Sequence, residues 1–307
     1  MDLAVEAPTL RPLMFSIAYR MLGSVSDAED VVQTGMLRIH ERTRGGDPIE
    51  RPDAFASTVA TRLSIDALRS AHRTREVYVG PWLPEPLVAD DADPAHRIEQ
   101  DETVSVAVLT LLERLGPVER AVFVLREALG FDYTEIAAIV ERDPAACRQI
   151  MHRARARVTA GGVRFDAHDA DAARLVGEFL RALREGDVDG VVRVLSDDVV
   201  FTADGGGKAP AIQRPMTGDV AVARFLIGLM RRGAVLGVGV EPTIANAEHS
   251  VRFRGADGAT LSVLTLHVED GRIRALANQL NPDKLQHLAP VGDLFALLRD
   301  EHEGPTA

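Results

Sequence analysis

The sequence predicts a multidomain protein: two all-α helical domains followed by a C-terminal α+β domain. Three observations carry this reading. Apolar residues recur at helical intervals from about residue 10 to 76 and again from about 98 to 158. Between them lies GPWLPEPLVADDADP at 80–94, whose prolines forbid a continuous helix. Beyond Gly161-Gly162 the pattern changes to alternating, β-branched runs. The predicted segments are 1–77, a proline-rich acidic linker at 78–97, 98–160, a C-terminal domain at 165–290, and a tail at 291–307.

Taken in order, SDAEDVVQTGMLRIH opens on Ser26 with Glu29 three residues later, the spacing of a capping box. Val31, Val32, Met36 and Ile39 then form its apolar face. TRGGDPIERPD at 43–53 reads as a loop, and AFASTVATRLSIDALRSAHR as a helix with Phe55, Val59, Leu63 and Leu68 on one side, Phe55 reading as core. In the linker the single tryptophan, Trp82, stands beside Leu83 and Leu87, and exposed aromatics of this kind usually have a partner. We expect this stretch to pack on the C-terminal domain. Leu115-Gly116-Pro117 ends one helix and begins another. Asp132 with Glu135 caps YTEIAAIV, and Asp143-Pro144 starts a longer basic helix. Short helix, tight turn, basic helix is a helix-turn-helix. The C-terminal domain is expected to hold helices at about 168–185 and 188–196, then strands VVFTAD, VLGVGVEPTIA, SVRFRG, TLSVLTLHVED and RIRALANQL.

The chain of 307 residues carries a formal charge of −11, so it does not coat nucleic acid over its whole surface. Two local islands run the other way. In 62–75 four arginines face Asp66 alone, and in 141–158 five arginines face Glu141 and Asp143. On the second island Cys147, Ile150, Met151, Ala154 and Val158 make a buried stripe. That turns Ala145, Ala146, Arg148, Gln149, His152, Arg153 and Arg155 outward. Small residues at the start allow close approach to a groove floor. Arg148 and Gln149 suit base edges, and the later arginines suit phosphates. One cysteine excludes an internal disulfide, which points to an intracellular, cytoplasmic protein. The scattered histidines give no metal-ligand spacing and nothing calls for a cofactor. No apolar run reaches the roughly 20 residues a membrane helix needs, and the N-terminus lacks a signal-peptide layout.

AYRMLGSVSDAEDVVQTGMLRIH (18–40) and RPDAFASTVATRLSIDALRSAHRTRE (51–76) resemble region 2 of extracytoplasmic-function (ECF) RNA polymerase sigma factors, and 111–158 resembles their region 4. WLPEP (82–86), DGGGK (204–208) and NPDKL (281–285) resemble marks of the SigJ-like group, which carries a fused SnoaL-like domain, an NTF2-like cone. The opening EFLRALREGDVDGVVRVLSDDVVFTADGGG is similar to that fold, two helices and then a strand.

The resemblance implies a sigma factor that binds core RNA polymerase and directs recognition of promoter −10 and −35 elements, with activity modulated in cis by the C-terminal domain. It implies polymerase binding through Asp27, Glu29, Asp30 and Gln33, with the β′ clamp helices and β flap as partners. It implies −10 DNA contacts from Arg44, Arg51, Arg62, Arg69 and Arg73, with Arg75 on the same helix, and −35 contacts from Ala146, Arg148, Gln149, His152, Arg153 and Arg155. Interdomain regulatory contacts fall to Trp82, Leu83, Pro84, Asp204, Gly205, Gly206, Gly207, Lys208, Asn281, Pro282, Asp283 and Lys284. The linker acids at 90–93 are candidates to mimic a nucleic-acid backbone. DGGGK is not a phosphate loop, because Ala209 follows Lys208; it reads as a glycine turn with Lys208 open to an ionic contact. No enzyme is expected, although Asp204 and His267 are candidates by residue type for a pocket acid or base. A DNA-binding regulator sensing a small ligand through the NTF2-like pocket is the alternative.

Overall fold

The computed structural model describes residues 3–45, 49–75, 78–88, 104–159 and 172–303. The chain divides into two compact units, formed mainly by Met1–Val77 with Val108–Val163, and by Tyr78–Ala89 with Arg164–Ala307.

In the first unit α1 (Leu3–Leu22), α2 (Val25–Arg44) and α3 (Pro52–Arg75) pack mutually around Met14, Ile17, Ala18, Ile39 and Ala60, all nearly inaccessible. Gly35 allows α1 and α2 to meet closely, since a Cβ there would lie 2.0 Å from the Met14 Cε. Two expectations need correction. The cap of α2 is Ser24, whose hydroxyl accepts from the Asp27 N–H at 3.1 Å, not Ser26. Val25 is buried as the first helical residue, so the core pulls the helix start upstream of Ser26. Phe55 is not core: it is half-buried with the Arg42 guanidinium 4.9 Å from its ring. Val59 and Leu68 are buried as expected, with Ile65, and Ala56, Ser57, Ala60, Thr61 and Ser64 complete the buried face, small enough for close helix contact.

The same unit continues with α4 (Val106–Leu112), α5 (Pro117–Phe123), a π turn at Val124–Ala128, α6 (Tyr133–Val140) and α7 (Pro144–Thr159). Asp132 Oδ1 accepts from the N–H groups of Thr134 and Glu135, while Glu135 reaches back to the Asp132 N–H, a complete capping box. Glu141 ends α6 in the left-handed region at φ 56°. Asp143 then caps α7 through the Ala146 N–H at 2.8 Å. The turn between α6 and α7 is thus set by the left-handed backbone of Glu141 and the side-chain cap of Asp143. Arg120, almost fully buried, fastens α5 to α1 by donating to the Met21 carbonyl at 2.7 Å while pairing with Glu113.

The second unit is α+β. The helices α8 (Ala172–Glu185) and α9 (Val188–Val194) precede a six-stranded sheet of β1 (Leu195–Asp204), β2 (Met216–Thr217), β3 (Gly239–Ala245), β4 (Glu248–Arg254), β5 (Thr260–Glu269) and β6 (Arg272–Gln279). The order is β2-β1-β6-β5-β4-β3, with β1 and β6 parallel and the other pairs antiparallel. The helix α10 (Asp219–Val235) lies between β2 and β3 and was not expected from the sequence, where Val235 and Leu236 read as the start of a strand. Its run VAVARFLIGLM is apolar on more than one side, so helical periodicity is blurred. One face of the sheet joins α8, α9 and α10 in a core including Phe179, Phe201, Leu226, Leu264 and Leu266. Every residue of β5 is buried, because its other face is covered too: Val263 packs with Val88, Leu285 and Leu288. A 3-10 helix at Pro282–Leu288 and α11 (Leu294–Glu303) complete the unit.

Candidate nucleic-acid interface and linker clamp

The three SigJ-like strings meet at one buried carboxylate. Asp204 ends β1 and is fully inaccessible. Its Oδ1 accepts from the Tyr78 hydroxyl at 2.6 Å and the Gly206 N–H at 3.0 Å. Its Oδ2 accepts from the Leu83 N–H at 2.8 Å and from Lys284 Nζ at 2.7 Å. Lys284 also donates to the Leu83 carbonyl at 2.6 Å, with the rings of Trp82 and Tyr78 4.1 and 4.8 Å from its ammonium. A charge taken from water is tolerated only when paired and hydrogen-bonded, and both conditions are met. Burial first, and then the Asp204 carboxylate, push the Tyr78 phenol well above its ordinary pKa.

Further along, Gln279 donates to the carbonyls of Leu83 and Pro84, His287 Nε2 lies 2.8 Å from the Pro86 carbonyl, and Asn246 exchanges two bonds with Leu87. Val88 bridges to Ala245 at the edge strand β3. Residues 78–88 are therefore held along their length as a strap on the C-terminal domain. Gly206 and Gly207 turn the chain at φ 55° and 73°, and a Cβ on Gly206 would sit 2.2 Å from Asn281 Nδ2. Asn281 in turn donates to the Tyr78 hydroxyl and caps the 3-10 helix, with Pro282 in its first turn. Lys208 forms an ion pair with Asp283. Asp204 is thus wholly occupied in the clamp and does not face an open pocket. His267 is buried against Glu248, Nδ1 to Oε1 2.7 Å. Asp204, bound on both oxygens, is therefore not placed as a pocket acid or base. The linker acids 90–93 fall outside the described residues.

In the first unit, α3 presents Arg62 and Arg69, with Arg51 just before it. Arg69 pairs with Asp66 on its own helix. Arg62 instead donates to the carbonyls of Ile139 and Ala138 at 3.0 and 3.1 Å and pairs with Glu141, and Arg51 lies 3.6 Å from Glu135. Both arginines therefore touch α6, Arg62 capping the negative C-terminal end of that helix. Arg44 lies in the last turn of α2, exposed, rather than in the loop. The side chains of Arg73 and Arg75 lie outside the described residues.

On α7, Cys147, Met151, Ala154 and Val158 are buried, Ala146 is half-buried, and Arg148, Gln149, His152 and Arg153 are exposed. Burial raises the pKa of the Cys147 thiol. Arg155 and Arg157 are exposed too but form ion pairs with Glu127 and Glu119. On α2, Asp27, Asp30 and Gln33 are exposed, while Glu29 is tied to Arg11 at 3.0 Å. Leu37, 57% exposed, continues the face of Asp30 and Gln33 at helical spacing. Sequence reasoning passed over Leu37, and over Tyr78, Asn246 and Gln279 in the clamp; an apolar residue at i+7 from an exposed acid was the signal available for the first.

A helix-turn-helix beside a second basic helix is the arrangement of a DNA-binding protein. Residues 9–74 match the Sigma-70 region 2 family and residues 105–158 match Sigma-70, region 4. The chain is 38% identical over 290 residues to the ECF RNA polymerase sigma factor SigJ of Mycobacterium tuberculosis, spanning 91% of this chain and 92% of that one. A probable ECF sigma factor SigI of the same species is 33% identical over 196 residues, 63% of this chain and 67% of that one. The crystal structure of M. tuberculosis SigJ superposes with a TM-score of 0.75 at 33% identity, covering 94% of this chain and 100% of that one. The chain belongs to the ECF RNA polymerase sigma factor family. Among the described residues no helix is long and apolar enough to cross a membrane, and no group of three His, Cys, Asp or Glu side chains is placed to hold a metal ion.

Proposed function

We propose that this sigma factor docks on core RNA polymerase through the exposed face of α2, with Asp27, Asp30, Gln33 and Leu37 meeting the β′ clamp helices and region 4 meeting the β flap. Arg44, Arg51, Arg62, Arg69 and Arg73 then serve the −10 element, and Ala146, Arg148, Gln149, His152, Arg153 and Arg155 the −35 element. The C-terminal domain acts in cis by holding the linker that joins the two DNA-reading regions; it is a regulatory domain, not an enzyme.

The observation that carries the cis reading is the clamp on Leu83, whose N–H and carbonyl are bound by Asp204 and Lys284. Residues 78–88 lie on the covalent path from region 2 to region 4, so a domain that grips them limits how far the two regions can separate. Because the domain is tethered, its effective concentration is in the ~mM range, and modest contacts suffice. The bonds from Arg51 and Arg62 to α6 must be exchanged for phosphates when DNA is bound.

Transcription by purified core polymerase on random promoter fragments tests the whole reading. With the protein added, start sites should fall downstream of a shared pair of sequence elements. A distribution of starts identical to that of core polymerase alone would overturn it.

A further inference from the structure

We propose that Tyr133 is a positioning residue for base reading: its ring holds Arg148, at the start of the recognition helix, in the orientation that meets a base edge. The proposal rests on the reading of α7 as the helix that enters the −35 groove.

The Arg148 guanidinium carbon lies 5.8 Å from the centre of the Tyr133 ring, and that of Arg126 lies 4.9 Å from it. Tyr133 is the first residue of α6, and the capping box of Asp132 and Glu135 fixes the backbone from which its ring projects. Arg126 is itself anchored. It belongs to the π turn Val124–Ala128 and donates to the Phe131 carbonyl at 2.8 Å. A π turn inserts one extra residue into the helical repeat, and such turns recur at functional sites because they re-aim side chains. Here the turn sends Arg126 to the tyrosine and the next residue, Glu127, to Arg155.

The arginines of α7 are thereby sorted. Arg155 and Arg157 are held by carboxylates. Arg148 is exposed and makes no ion pair among the described residues. An aromatic face attracts a guanidinium without neutralising it or occupying its N–H groups. A free arginine loses several rotatable bonds when it binds a base; one already resting on a ring loses fewer. The gain falls on discrimination between bases, because bidentate contact to guanine is the geometry-demanding one.

The test is transcription by core polymerase carrying the full-length protein on promoters with a randomised −35 element, reading base preference at each position together with the salt dependence of binding. Arg148→Ala should remove preference at one or two positions by about fivefold or more. Tyr133→Ala should weaken preference at those same positions by about two- to fivefold, with the salt dependence unchanged. Tyr133→Phe, which keeps the ring, should retain the preference, and Tyr133→Ala should add nothing in an Arg148→Ala background. If Tyr133→Ala lowers binding equally for all sequences and flattens the salt dependence, the tyrosine serves the phosphate backbone and the proposal is wrong, while the recognition-helix reading stands. If Arg148→Ala changes no position, that reading and the proposal both fall.

Discussion

Lys284 is a cation almost closed to water, and its worth depends on keeping Asp204 as a partner. Breaking a buried pair by removing one member costs about 3–5 kcal/mol, because the remaining charge is stranded. Lys284→Met should therefore destabilise the C-terminal unit by about 3 kcal/mol in urea unfolding followed by Trp82 fluorescence. Lys284→Met with Asp204→Asn should recover part of the loss, since a neutral amide is less costly to strand. Equal losses in the single and double variants would show that the charge pair is not what holds the clamp. Tyr78 adds a pH dependence. Its phenol is pushed above the ordinary value of about 10, so the un-ionised form is favoured in the folded state. That stabilisation is complete below pH ~10 and is lost as the pH climbs above it, because the unfolded chain then gives up the proton first. Tyr78→Phe should flatten the fall in stability above pH ~10. At this scale the sequence displayed three strings of the clamp, WLPEP, DGGGK and NPDKL. Tyr78, Gln279 and Asn246 stayed hidden because each is recognisable only by the backbone atom or carboxylate it meets across more than a hundred residues of chain.

Elements were legible where local chemistry sets them. The capping box at Asp132, the Asp143-Pro144 start of α7 and the Gly116-Pro117 break stand in the structure at the residues that signal them. They were misread where packing overrides the local signal. The start of α2 moved upstream because Val25 is needed in the core, and α10 escaped notice because it is apolar on several sides and followed by a glycine-rich strand. The outward face of α2 shows what periodicity can still add. Leu37 is an exposed leucine on the line of Asp30 and Gln33. Leu37→Asp should leave the melting temperature within about 1–2 °C, since surface changes cost about 0.5 kcal/mol or less, while lowering affinity for core polymerase about tenfold in a fluorescence binding assay, as expected for an anchor worth over 1 kcal/mol. Unchanged affinity would move the docking face elsewhere on the helix.

For the molecule as a whole, the order of two helical regions and an α+β domain was readable from changes of period along the chain, whereas the destination of the linker depended on contacts no period encodes. That destination sets a mechanical consequence. While residues 78–88 are bound to the sheet and the 3-10 helix, they contribute no slack between region 2 and region 4. Once released, they join the rest of the linker. A flexible chain spans about 5–6 Å times the square root of its residue number, so eleven added residues widen the reach by several ångströms, the scale of one to two base pairs at about 3.4 Å each. Sigma-directed transcription should accordingly respond to the distance between the −10 and −35 elements. With the intact protein, core polymerase should favour one spacer length. With Lys284→Met and Asp204→Asn together, or with residues from about 165 onward removed, transcripts from promoters one or two base pairs longer or shorter should rise relative to the favoured one. The comparison needs only a set of templates differing in spacer length and a count of run-off products. A spacer profile identical in all three proteins would mean that the strap does not govern the separation of the two DNA-reading regions, and regulation by the C-terminal domain would have to work by another route.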